Sequence, residues 1–128
     1  MPDLSGRATL LPELGRIYTM RKATSRRAFR LEEHIKKELS RILIEDIQDP
    51  RLDLVTISGV RLNSDLSIAE VLYTHSSDSD KKEEALQGLN SAKGRIRVLL
   101  GQSLNQKFVP ELRFKWDDFL ETMIYDSP

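Results

Sequence analysis

Positive charge surrounds a glycine in one stretch of the chain. Lys93 and Arg95 flank Gly94, Arg97 follows, and residues 91–109 hold four basic residues and no acidic one. A glycine costs roughly 1 kcal/mol in a helix interior, so Gly94 needs a structural reason. If it breaks a helix, the first N–H groups of the following helix are unpaired and attract an anion. The pattern therefore predicts phosphate binding at a helix–kink–helix.

The same stretch also has a purely structural explanation. Ala92 and Gly94 would then serve only close helix packing, and the cations would be solvated. Lys93 and Arg97 lie four positions apart and share one helix face, whereas Arg95 points about 200° away. The residues alone support the two explanations equally.

A second basic zone lies near the N-terminus. Residues 1–30 hold seven basic and two acidic residues, although the whole chain has no net charge. Such an uneven distribution indicates a directional surface rather than general affinity for polyanions. Arg26, Arg27 and Arg30 are the candidates here, since cations at a helix start oppose its dipole and so favour a binding role. A solvated helix start fits these residues about as well.

Catalytic and metal chemistry find little support. The chain has no cysteine, which excludes disulfides and thiolate ligands. Neither His34 nor His75 has a spaced metal ligand or nucleophile partner, and the adjacent Asp117 and Asp118 point to opposite faces of a strand end. No glycine-rich nucleotide-binding loop is present. We expect a non-enzymatic protein without cofactor or metal ion.

Two helical regions are predicted from apolar periodicity. The first begins after an N-cap at Thr24 or Ser25 and ends near residue 48, because Pro50 forbids continuation. The second begins at a capping-box pattern near Asp80, is interrupted at residues 92–94, and ends near residue 105.

Three strands complete the prediction. Residues 54–62 are rich in β-branched side chains, and a bulge at Gly59 absorbs a shift in their apolar phase. Residues 66–75 return after a polar turn to form a hairpin. Strict alternation in residues 111–117 predicts a strand with one buried face. The order predicts an α+β domain with helices on one face of a three-stranded sheet.

We divide the chain into three parts on this basis. Residues 1–23 are predicted to be a flexible basic N-terminal tail, residues 24–118 the folded domain, and residues 119–128 a short C-terminal tail. No apolar run reaches the roughly 20 residues needed to span a membrane, and no membrane partner is expected.

Five short motifs occur in a fixed order along the domain. They are Asp49-Pro50-Arg51-Leu52, Val55-Thr56-Ile57 with Val60, Asp65-Leu66-Ser67-Ile68-Ala69, Leu89-Asn90-Ser91-Ala92-Lys93-Gly94-Arg95-Ile96-Arg97, and Val109-Pro110-Glu111-Leu112-Arg113-Phe114. Each is weak alone. In this order and spacing they resemble the bacterial ribosome-binding factor A family, over roughly residues 25–118.

The resemblance implies a type II KH-like fold of order αββααβ. RNA-binding KH domains clamp nucleic-acid backbone with a GxxG loop between two helices, and the resemblance places Ala92-Lys93-Gly94 at that position. It further implies a non-enzymatic ribosome assembly factor. Such a factor binds the small ribosomal subunit and its rRNA, including precursor rRNA, during maturation and rRNA processing. The alternative is a protein–protein interaction module of the same fold that does not contact RNA directly.

These considerations define the predicted functional residues. Ala92 and Gly94 are expected to form the structural kink. The predicted RNA-binding residues are Lys93, Gly94, Arg95, Arg97, Lys107, Arg26, Arg27 and Arg30. We expect a monomer in the cytoplasm, with an organelle stroma or matrix also open.

Aromatic side chains bear on how RNA is read. Tyr73, Phe114 and Trp116 fall on predicted core positions, which leaves few rings for stacking on bases. The sequence therefore predicts recognition of RNA backbone and shape, with modest sequence preference.

Overall fold

The computed structural model describes residues 21–76, 81–106 and 108–118. Their elements follow the order helix, 3-10 turn, strand, strand, helix, strand. The bounds are α1 Arg26–Glu45, the turn Pro50–Leu52, β1 Val55–Leu62, β2 Ile68–His75, α2 Lys82–Leu104 and β3 Glu111–Trp116. This confirms the mixed α+β fold with a three-stranded sheet. Neither helix is long and apolar enough to cross a membrane within these ranges.

α1 begins and ends close to the residues predicted from the sequence. Ser25 is the N-cap, and its hydroxyl oxygen accepts a hydrogen bond from the N–H of Ala28 at 3.0 Å. The helix ends at Glu45, a few residues before the predicted end, and Asp46 caps it. Ile35, Leu39 and Ile42 of its apolar stripe are completely buried, so packing rather than propensity stabilises α1.

The sheet has the order β1-β2-β3. β1 and β2 are antiparallel, with a register shift between Ile57 and Gly59 that confirms the predicted bulge. β3 lies parallel to β2, and α2 forms the long crossover connection that a parallel pair requires.

Side chains of the sheet separate into a dry face and an open face. Leu62, Ala69 and Leu112 lie side by side across the three strands and are completely buried in the same cluster as the core residues of both helices. One position along, Arg61 pairs with Glu70 at 3.0 Å on the opposite face. Both helices therefore cover one face of the sheet, as predicted.

α2 differs from the prediction in one respect. It is a single helix of 23 residues, and Ala92 and Gly94 lie inside it without interruption. The expected break into two helices is therefore wrong, and no second helix N-terminus offers unpaired N–H groups at this point. Apolar packing continues on both sides of the glycine, through Leu89 and Ile96, which are completely buried. α2 ends at a left-handed Asn105, as predicted, while Asp80 lies outside the described residues.

The 3-10 turn connects α1 to the sheet and supports α2. The Asp49 carboxylate accepts hydrogen bonds from the Arg51 N–H at 3.0 Å and from its guanidinium at 2.7 Å, which fixes the turn. A Cβ at Gly88 would lie 2.9 Å from Leu52 Cδ2 and 3.2 Å from Arg51 Cβ. At Gly88, therefore, α2 packs directly against the turn.

A buried carboxylate joins α1 to the free edge of β1. The Glu32 side chain is buried and accepts a hydrogen bond from the N–H of Leu62 at 2.8 Å. The carbonyl of Leu62 accepts from the N–H of Ala23 at 2.8 Å, and Lys22 bridges to Asn63. The residues just before α1 thereby cover this part of the edge.

Replacing Glu32 tests this connection. We expect Glu32→Ala to lower the free energy of unfolding by about 1–3 kcal/mol, because the buried N–H of Leu62 loses its acceptor. Glu32→Gln keeps an acceptor oxygen and should lose less. Glu33→Ala, at the exposed neighbouring position, is the control, and urea unfolding is the measurement. Equal losses for the Ala variants at positions 32 and 33 would contradict the assignment.

The Asp49–Arg51 contact predicts a dependence of stability on acid. Hydrogen bonds from Arg51 hold the pKa of Asp49 below its ordinary value of 3.8. Since the pKa is lower in the folded than in the unfolded chain, the stabilisation is present above 3.8 and is lost as pH falls through the lower folded value. We expect the difference in unfolding free energy between wild type and Asp49→Asn to shrink in that acid range. If this difference in unfolding free energy stays constant from neutral to acid pH, the pKa of Asp49 is not lowered in the folded protein.

Candidate nucleic-acid interface

Cations in the middle of α2 point to different sides of the helix. The Lys93 ammonium lies 5.7 Å from the centre of the Phe114 ring, beside β3. Arg97 donates a hydrogen bond to the carbonyl of Val109 at 3.0 Å, and so holds the loop that precedes β3. Arg95 is exposed on the side that faces the end of α1. The three cations therefore do not form one compact cluster, and two of them already have structural contacts.

Arg95 lines an open cleft of about 500 Å³ between α2 and the end of α1. Asp46 and Asp49 also line this cleft, and each contacts an arginine other than Arg95. Asp46 contacts Arg41 at 3.4 Å, and Arg41 also pairs with Glu38 and Glu45, while Asp49 contacts Arg51 at 2.7 Å. Arg95 itself forms no ion pair with any described residue. Within the described ranges, Arg95 is the one cation that lines this cleft, and its guanidinium is therefore available to an external ligand.

Gly94 is exposed and unpacked. A Cβ built at this position would meet no atom within 4 Å, whereas a Cβ at Gly88 or Gly101 would meet neighbouring side chains at 3.0 Å or less. Gly94 also lacks a positive φ, so neither packing nor backbone geometry calls for glycine. Glycine destabilises a helix interior, and no contact within the described part of the chain compensates for this at position 94. The missing side chain leaves the helix backbone exposed between Lys93 and Arg95.

The N-terminal candidates form a second, separate group. Arg26, Arg27 and Arg30 are exposed in the first turns of α1, where the first turn has no acidic residue. None of the three forms an ion pair with another described residue. Lys107, the remaining predicted cation, lies outside the described residues.

The relative direction of the helices keeps the two groups apart. Arg41 of α1 donates a hydrogen bond to the Ser103 hydroxyl near the end of α2 at 2.8 Å. Asp46, which caps the end of α1, lines the same cleft as Ser91 in the middle of α2. α1 and α2 therefore run in opposite directions. The start of α1 lies towards the end of α2, and the group around Gly94 lies towards the end of α1.

The aromatic side chains were only partly predicted. Tyr73 is buried, and Trp116 packs edge-on against it with ring centroids 5.5 Å apart; Phe114 also packs against the core. Two rings that the sequence did not single out are exposed: Phe29 by 61% and Phe108 by 66%. Their exposure could have been predicted only from their positions in the sequence, since Phe29 lies outside the apolar stripe of α1 and Phe108 lies in a loop.

Metal-binding geometry is not found within the described ranges. No group of three or more histidine, aspartate or glutamate side chains there is close enough to hold an ion. Of the aspartates considered earlier, Asp117 accepts a hydrogen bond from the Ser58 hydroxyl at 2.6 Å, which ties the end of β3 to the bulge of β1.

The fold and surface together define a small α+β domain that carries two separate groups of cations on one antiparallel helix pair. The family model of ribosome-binding factor A matches residues 27–125. This chain therefore belongs to the ribosome-binding factor A family.

Similar sequences carry the same name. The chain is 46% identical over 97 residues to ribosome-binding factor A of Citrifermentans bemidjiense, which covers 75% of this chain and 81% of the relative. It is 51% identical over 89 residues to that of Lactobacillus johnsonii, covering 69% and 72%.

Solved structures agree on the fold. The crystal structure of ribosome-binding factor A from Thermus thermophilus has a TM-score of 0.62 at 28% identity, covering 79% of this chain and 99% of that one. A homology model of the Thermus thermophilus protein, fitted into a cryo-electron microscopy map of its complex with 30S, has a TM-score of 0.58 at 30% identity, covering 69% and 92%.

The unpacked glycine leads to a paired prediction. Gly94→Ala should raise the free energy of unfolding by about 0.5–1 kcal/mol, because alanine is the better helix former and its methyl group meets nothing. Gly88→Ala should lower it, because its methyl group would overlap Leu52. Thermal or urea unfolding of both variants is the measurement. A loss of stability in Gly94→Ala would show that the glycine has a structural role after all.

Proposed function

We propose that this protein is a non-enzymatic ribosome assembly factor that binds the small ribosomal subunit through its rRNA during maturation and rRNA processing. Membership of the ribosome-binding factor A family supports the ribosome as partner. The complex of the related Thermus thermophilus protein with 30S supports the small subunit.

The observation that carries the RNA contact is the exposed, unpacked Gly94 beside Arg95. A glycine without steric cause on a helix surface allows another backbone to approach closely. Arg95 forms no ion pair with a carboxylate of the described residues. Its positive charge can therefore bind the phosphates of an RNA backbone that lies against Gly94. A sugar–phosphate strand lying across α2 at Gly94 satisfies both features.

This mode of binding differs from the KH-like clamp that the resemblance implied. Because α2 is continuous through Gly94, its N–H groups there are engaged in the helix and do not bind phosphate. Binding would instead rest on side-chain cations and on the space that the missing side chain leaves. The contribution of Lys93 and Arg97 is partly structural, since Phe114 and Val109 already engage them.

Reversing the charge of Arg95 tests the proposal with little risk to the fold. We expect Arg95→Glu to weaken co-sedimentation with purified small subunits about ten-fold or more, since a charge-assisted hydrogen bond contributes roughly 1.5–3 kcal/mol. The slope of log affinity against log salt should fall by about one. Lys115→Glu makes the same change in net charge at an exposed position of β3 and is the control.

Two results would overturn the proposal. If wild-type protein does not sediment with small subunits at low salt, the small subunit is not its binding partner. If the substitutions at Arg95 and Lys115 weaken binding equally, the RNA contact does not lie at Gly94. Reversing Lys93, Arg95 and Arg97 together would be less informative, because loss of Arg97 also frees the loop at Val109.

A protein-interaction module is the second candidate function. Ile44 is 83% exposed and lines an open cleft of about 410 Å³ with Leu43 and Ile47, a composition that suits an apolar protein segment. Salt separates the two functions, since an apolar interface gives a shallow salt dependence and phosphate contacts give a steep one.

A further inference from the structure

A third cleft lies between the start of α1 and the loop that joins α2 to β3. Its volume is about 540 Å³. The residues that line it combine cations, apolar groups and one exposed ring. They are Arg27, Arg30, Leu31 and His34 of α1, Leu66 of the β1–β2 turn, and Gln106, Phe108 and Pro110 of the loop. No carboxylate is among them.

The loop that presents Phe108 is held on several sides. Arg97 donates to the carbonyl of Val109, and Val109 Cγ2 would lie 3.0 Å from a Cβ at Gly101, so the two segments pack closely. The N–H of Glu111 donates to the carbonyl of Ser67 at 2.9 Å. Phe108 therefore extends from an anchored backbone, which lowers the entropy lost when a ligand packs on its ring.

Exposure of the Phe108 ring has an energetic cost. A large apolar side chain in water loses the stabilisation that burial would give it, and 66% of Phe108 is accessible. The lining also includes Leu66, whose φ of 62° lies in the left-handed region that is unfavourable for a non-glycine residue. The cleft thus brings together an exposed ring and a strained apolar residue without filling the space between them.

The charge of the cleft selects an anionic ligand. Arg27 and Arg30 are exposed and have no ion-pair partner in the described part of the chain, and no lining carboxylate offsets them. An apolar protein segment would leave these guanidinium groups without partners. A ligand with one flat apolar face and one adjacent negative charge complements both the ring and the arginines, and an unpaired nucleotide has this chemistry.

We propose that this cleft binds one unpaired nucleotide of an RNA strand, with its base stacked on Phe108 and its phosphate held by Arg27 and Arg30. The proposal rests on RNA being the partner, as argued for Gly94, and adds a second contact at the other end of the helix pair. It also replaces the expectation that bases are not stacked. Base-paired RNA is excluded as the ligand, because its bases are already stacked on one another.

Matched phenylalanine variants test the proposal. The probes are a fluorescein-labelled single-stranded RNA of about ten nucleotides and a fully paired duplex of the same length. Phe108→Ala should weaken binding of the single strand about ten-fold, since stacking contributes roughly 1–3 kcal/mol per base. Phe29→Ala is the control, because Phe29 is equally exposed and lies between the same arginines in sequence but does not line the cleft. It should change binding less than two-fold, an effect of about 0.4 kcal/mol or less.

The chemistry at position 108 provides a further check. Phe108→Trp should restore single-strand binding, and fluorescence of the new indole should be quenched by the RNA, whereas Phe108→Leu should remain weak because it keeps apolar bulk without a ring. Circular dichroism verifies that each variant is folded. If Phe108→Leu binds as well as wild type, the cleft recognises apolar bulk and the stacking proposal fails.

The remaining outcomes separate this proposal from the proposed function. Equal losses in the Ala variants at positions 108 and 29, or equal losses of single-stranded and duplex RNA in Phe108→Ala, would overturn the nucleotide site. If wild type still sediments with small subunits, the proposed function survives that result. A wild type that does not sediment, but binds the single strand through Phe108, would overturn the ribosomal partner and keep the nucleotide site.

Discussion

Close packing between Leu52 and Gly88 fixes the geometry on which the exposed surfaces depend. Leu52 is buried, and the absence of a side chain at Gly88 lets α2 rest directly on the turn after α1. The Asp49–Arg51 contacts hold that turn, so the end of α1, the start of β1 and the first half of α2 are positioned together. The cleft beside Arg95 is the space left between these elements. A larger residue at position 88 would push α2 away from the turn and would therefore change the shape of that cleft.

Local signals made much of the fold predictable. The Ser25 cap, the stop before Pro50 and the bulge near Gly59 each depend on a few neighbouring residues, and each is found close to where the sequence places it. The family resemblance rested on the same kind of short, ordered motifs. The continuous α2 was not predictable in this way, because the cost of Gly94 is outweighed by burial of Leu89 and Ile96 against distant strands.

The candidate site was less predictable than the fold for a related reason. The sequence identifies cations but not whether another part of the chain already uses them: Arg97 is engaged by Val109, which follows it by twelve positions. It likewise gives no sign that the loop before β3 turns towards α1 and leaves Phe108 in water. Contacts between remote segments decide both facts, and single-sequence patterns do not contain them.

The parallel placement of β3 beside β2 has a consequence for how the protein is made. Ile68 pairs with Glu111 across the whole length of α2, so this pairing closes a long loop and carries a high entropic cost. During synthesis from the N-terminus, α1 and the β1–β2 hairpin are complete before β3 leaves the ribosome. Until then, Lys93 of α2 cannot contact Phe114 of β3. The cationic helix surface is therefore completed last. A nascent chain would assemble the proposed binding surface only after β3 has been synthesised and has paired with β2.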